Sequence, residues 1–107
     1  MTKITIYCKN GTYTGFCMRG HSGYAEEGAD IVCAGISVLA INFVNSIEQF
    51  TSDEYSQFEH EEEGMIEFEF GDTISSEAEL LMKSFILGLE QLEKEYKDFI
   101  SLDYKEV

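Results

Sequence analysis

The chain has 107 residues, of which 44% are apolar, including eight Phe and six Tyr. That is enough to bury one core, so a single domain spanning 1–107 is expected, neither disordered nor fibrous. A formal charge of -14 with only seven Lys and Arg excludes a direct nucleic-acid partner, since phosphate binding needs clustered cations. It suits plain solubility, or steering toward basic partners.

Met1-Thr2-Lys3 leads directly into a strand-like pattern, so no signal peptide is expected. The most apolar run, Ala34 to Val44, is broken by Ser37 and Asn42 and reads as too short to cross a bilayer, so no membrane partner is expected. Cys8, Cys17 and Cys33 form no CxxC pair, which suggests neither a disulfide framework nor a metal site. Reduced thiols point to a cytoplasmic location.

In chain order, Ile4, Ile6 and Cys8 alternate with polar neighbours as in a strand, and Asn10-Gly11 signals a two-residue hairpin turn. That loop would set Lys9 opposite Thr12, Cys8 opposite Tyr13 and Ile4 opposite Cys17. Cys8 and Cys17 would then share a face without bonding, both acting as small core residues. The second strand passes through Thr14, Phe16 and Met18 and ends at His21. Ser22 to Ala29 reads as a surface loop of the sort that contacts substrates.

Asp30 reads as an N-cap. After it Val32, Ile36, Leu39, Ala40, Phe43, Ile47 and Phe50 recur at helical spacing, widened by Ile31, Val38, Ile41 and Val44 into a helix expected to be central. Thr51-Ser52-Asp53 ends it. Period two returns from Tyr55 to Phe70 as a second hairpin turning near Glu62-Glu63-Gly64. The run around His60 reads as a solvated acidic face and matches no metal-ligand motif. Ser75 or Ser76 starts a second helix, Ser76 with Glu79 having the form of a capping box. Its stripe is Ala78, Leu81, Met82, Phe85, Leu89, Leu92 and Tyr96. Phe99 to Tyr104 offers a last strand. The order β-β-α-β-β-α-β predicts an α+β domain, two helices on one face of a mostly antiparallel sheet.

The chemistry concentrates between Gly20 and Ser37, GHSGYAEEGADIVCAGIS. With Asp30 as N-cap, Cys33 falls among the first three helical residues. There unpaired backbone N–H groups and the positive end of the helix dipole favour a thiolate. The thiol would titrate below its ordinary value of about 8.5, and the same N–H groups could receive an oxyanion. A strand, a loop and a returning helix permit His21 to reach Cys33. Asp30 could cap only, or also orient the imidazole, and Ser37 lies one turn beyond Cys33 on the same face. The plainer reading stays open at this point: a helix cysteine beside an apolar stripe as buried packing, and His21 as an ordinary loop residue.

This segment resembles the ribosomal-processing cysteine protease family (Prp), on Gly20-His21, the glycine-containing loop, and Asp30-Ile31-Val32-Cys33-Ala34-Gly35 followed by Ser37. The resemblance implies a cysteine endopeptidase without cofactor or metal. Its partner would be the N-terminal segment of a basic large-subunit ribosomal protein precursor, whose extension it removes. It further implies a homodimer with a flexible loop over the site, Cys33 as nucleophile, His21 as general base and acid, and Gly20, Asp30 and Ser37 as supporting or substrate-binding residues. Two rival readings are a non-catalytic module that binds basic proteins and a thiol hydrolase or redox protein, the last opposed by the lack of a nearby resolving cysteine.

Overall fold

The computed structural model describes residues 1–20, 27–60 and 64–107, with the backbone alone for 27–30. The elements are β1 (Thr2–Lys9), β2 (Thr12–Arg19), α1 (Glu27–Phe50), β3 (Tyr55–His60), β4 (Met65–Phe70), α2 (Ser76–Glu95) and β5 (Ile100–Glu106). The five strands form one sheet in the order β3-β4-β2-β1-β5. All neighbours run antiparallel except β1 and β5, which are parallel. This is the expected α+β arrangement, with one parallel pair because α2 carries the chain back across the sheet before β5 begins.

Asn10 and Gly11 both take positive φ, 53° and 80°, which makes the first turn the primed hairpin expected of an Asn-Gly pair. Lys9 pairs with Thr12 and Cys8 with Tyr13, but then the register slips and Tyr7 faces Gly15. Thr14 is the extra residue, and its hydroxyl donates to the Tyr7 carbonyl. The expected pairing of Ile4 with Cys17 is therefore overturned: Ile4 pairs with Met18, and Cys17 with Thr5. A one-residue bulge turns every later side chain to the other face. It brings Phe16 and Met18 into the core beside Ile4 and Ile6, and it puts Cys17 on the face away from Cys8.

The helices cover one face of the sheet. Their shared core centres on Phe16, Phe43, Phe68 and Phe85, with Phe43 stacked on Phe85 at 4.9 Å and edge-on to Phe68 at 5.0 Å. Phe16 lies 5.5 Å from Phe68. Each of these rings is almost wholly buried, and such aromatic pairs add stabilisation beyond their buried area. The helices approach closely where glycines stand. A Cβ on Gly88 would lie 2.9 Å from Leu39, and one on Gly35 would lie 3.3 Å from Leu92, so the two helices run antiparallel with glycine facing leucine at both points.

α1 is less enclosed than its composition suggested. Val32, Ile36, Ala40, Phe43, Val44 and Ile47 are buried, whereas Ile31, Val38, Ile41 and Phe50 are exposed, Phe50 by 74%. The helix sits beside α2 rather than between layers, so its outer side meets no protein partner among the described residues. The expectation that its apolar run is too short to cross a bilayer is also corrected, for Ile31–Phe50 is long and apolar enough by length and composition, with mean hydropathy 1.7. Here its inner side packs on the sheet.

α2 begins at Ser75. The Ser75 hydroxyl accepts from the Ala78 amide at 3.1 Å and donates to Asp53 at 2.6 Å, while the Ser75 amide donates to the other Asp53 carboxylate oxygen at 2.7 Å. Asp53, remote in sequence, thus does what the glutamate of a capping box would do, and the Ser76–Glu79 box does not form. Burial alone would raise the Asp53 carboxyl, but the hydrogen bonds from Ser75, with Thr51, hold it below its usual range.

Candidate active site

The helix-initiating signal of Asp30 proves to be placed one turn late. α1 is already helical at Glu27, so Asp30 lies inside its first turn and Cys33 is its seventh residue. Acidic residues suit a first turn because they face the positive end of the dipole, so Asp30 fits there without being the cap. The consequence for Cys33 is real: the unpaired amides belong to the residues before it, and the dipole's effect fades within the first turn. The expected activation of the thiol, and the expected oxyanion donors, by the helix terminus are thus not supplied in that way.

What the fold does supply is access and position. Cys33 is a free thiol, half-buried on α1. Ser37, one turn on, is exposed, and Asp30 stands one turn before, so all three recur along one flank. The other thiols differ. Cys17 is free and buried on the sheet face opposite the helices, outside the main core, with Tyr7 beside it: burial raises the Tyr7 phenol, and Cys17 adds to the shift. Cys8 packs against the core, and burial, reinforced by Glu106, pushes its thiol up.

His21 and the loop from Ser22 lie outside the described residues. The backbone leading to them is closely held. The Gly20 amide donates to the Gly64 carbonyl at 3.3 Å, and Gly64 has φ +59°. A Cβ on Gly64 would lie 2.5 Å from the Gly20 oxygen, and a Cβ on Gly20 would lie 2.7 Å from the Thr2 Cα. Gly20 therefore has a definite reason to be glycine, the crowding of Met1 and Thr2 against it, and Gly64 has its own, the Gly20 carbonyl. Sequence reading singled out Gly20 but not Gly64 or Thr2 as its seat. The only local signal for them was a glycine in a turn. Among the described residues, no group of three or more His, Cys, Asp and Glu is placed to hold a metal ion.

Comparison with known proteins places the chain among the cysteine proteases. The family model described as Cysteine protease Prp matches residues 1–101, and the chain belongs to that family. A Staphylococcus aureus relative, the ribosomal processing cysteine protease Prp, is 35% identical over 95 residues, which is 89% of this chain and 90% of that protein. The fold also superposes on two crystal structures of an essential ribosomal processing protease Prp from S. aureus. One, with a substrate peptide, has TM-score 0.91 and 32% identity, covering 98% of this chain and 100% of that one. The other, with a covalently linked product peptide, has TM-score 0.88 and 33% identity over the same shares.

Proposed function

We propose that this cysteine protease removes a short N-terminal extension from a basic large-subunit ribosomal protein precursor in the cytoplasm, using Cys33 and His21 as a dyad. The observation that carries the reading is the family match over residues 1–101, which includes Gly20-His21 and the Asp30-to-Ser37 segment. The names of the relatives supply ribosomal processing, and the charge of -14 suits a basic substrate.

In this mechanism His21 takes the Cys33 proton, and the thiolate adds to the scissile carbonyl. The tetrahedral oxyanion collapses, the C–N bond breaks, and His21 returns the proton to the departing amine. Water, deprotonated by the same imidazole, then hydrolyses the thioester and regenerates the thiol. Asp30 and Ser37, on the same flank as Cys33, support the site. Gly20 lets β2 end close to β1, and Gly64 lets the β3–β4 turn close onto Gly20. The enzyme works as a homodimer, which sedimentation at micromolar concentration tests directly.

The deciding experiment mixes the protein with the precursor and reads product masses. A single new amino terminus is expected, and it disappears with Cys33→Ala and with His21→Ala while both variants keep the wild-type circular dichroism spectrum. Undiminished cutting by either variant would remove that residue from its role, and an intact precursor would remove the substrate assignment.

A further inference from the structure

α1 ends at Phe50, and the chain opens there into a recess of about 840 Å³ between the α1–β3 and β4–α2 connections. Its walls are braced at two points. The Gly71 amide donates to the Glu54 carbonyl at 2.8 Å, and Asp53 accepts from both the amide and the hydroxyl of Ser75. The recess is therefore shaped by the fold before anything enters it, which lowers the ordering cost of a contact there.

The lining joins one aromatic anchor to a single sign of charge. Phe50 lines the recess yet is largely exposed, a ring with no packing role in the core. Glu54, Asp72 and Glu77 line it too, all exposed, and no Lys or Arg among the described residues does. The last turn of α1 holds no basic residue either, so the negative end of its dipole stands unneutralised beside them. A concave surface of one sign focuses the field of the whole chain, here -14. The complement to such a lining is a Lys or Arg side chain. Its charged head meets the carboxylates while its stem and head cover the ring. A second copy of this acidic chain would be repelled.

We propose that this recess is an exosite: it holds a Lys- or Arg-rich segment of the substrate protein at a distance from the bond that is cut. The inference rests on the reading of a basic protein as substrate. From Cys33 to Phe50 the helix runs for about 25 Å. That is the length of about eight extended residues, so the basic segment lies beyond those that touch the thiol. Phe50 and the three carboxylates then contribute to holding the substrate protein, and the chemistry at Cys33 is untouched by them.

The test begins with hexalysine as the probe, titrated into the full chain while backbone amide resonances are followed by NMR. The resonances of residues 49–54 and 71–77 should move together. The triple variant Glu54→Gln, Asp72→Asn, Glu77→Gln should weaken binding by about tenfold, from three exposed contacts of about twofold each. Phe50→Ala should weaken it by about threefold. A second triple variant, Glu59→Gln, Glu69→Gln, Glu95→Gln, removes the same charge from exposed positions elsewhere and should leave binding as it is. Equal weakening by both triple variants, shifts scattered over the acidic surface, or no binding would overturn the recess as a site. Steady-state cleavage of the precursor then tests its use: the lining variant should raise KM by about tenfold, with the loss in KM rather than kcat. A precursor cut with unchanged KM would overturn the exosite. A precursor left intact by the wild-type chain would instead remove the substrate assignment, with the hexalysine titration still deciding the recess.

Discussion

Gly20 and Gly64 meet backbone to backbone, the amide of one donating to the carbonyl of the other across 3.3 Å. The end of β2 is thereby tied to the turn of the second hairpin, immediately before the histidine assigned to catalysis. Thr2 explains why a glycine precedes that histidine, since any side chain on Gly20 would run into it, and the Gly20 carbonyl in turn explains the glycine at 64.

Replacing either glycine tests this seat. Gly64→Ala imposes a left-handed conformation on a residue with a Cβ, which costs about 1–2 kcal/mol before the close contact is relieved. Gly20→Ala should cost stability and lower kcat/KM for peptide cleavage further than that loss explains, because it displaces the strand end. Thermal unfolding and steady-state kinetics of the same samples separate the two effects. Wild-type kinetics in Gly20→Ala would refute the link between this crossing and the site.

The three thiols should react unequally. Cys33 is half-accessible on α1, Cys17 is buried, and Cys8 has its thiol pushed up by burial. Iodoacetamide near pH 6 should label Cys33 at least about tenfold faster than either of the others, since the thiolate is the reacting form. Peptide mapping of partly labelled protein measures this. Equal, slow labelling of all three would speak against a dyad at Cys33.

The cap of α2 predicts an acid-limb effect. Asp53 is held below the usual carboxylate range in the folded state, so its bonds to Ser75 stabilise fully above its unfolded value of about 3.9 and are lost as pH falls through the lower folded value. Ser75→Ala should cost about 1 kcal/mol. Asp53→Asn should lower the melting temperature at pH 7 and flatten its fall below about pH 4. An unchanged melting curve against pH in Asp53→Asn would show that the pair carries no linkage.

Phe43 joins both layers, touching rings on β2, β4 and α2. Phe43→Ala should lose about 3–5 kcal/mol, the usual cost of an emptied aromatic core site. Phe50→Ala, on the same helix but 74% exposed, should lose almost nothing. Chemical denaturation of the pair checks the contrast, and equal losses would contradict the packing described.

Local pattern alone was enough to establish the order of elements, the primed turn at Asn10-Gly11, the core stripe of α2 and most of that of α1. Each depends on periodicity or turn geometry within a few residues. Three matters needed the tertiary structure. The bulge at Thr14, which sends Cys17 to the far face, arises because the core needs Phe16 and Met18, and an ideal hairpin register would have buried Gly15 and Cys17 instead. The start of α1 before Asp30 could not be read from capping preference, because an acidic residue is equally at home inside a first turn. The exposure of Ile41 and Val38 was hidden because apolarity does not say which side of a helix meets a neighbour.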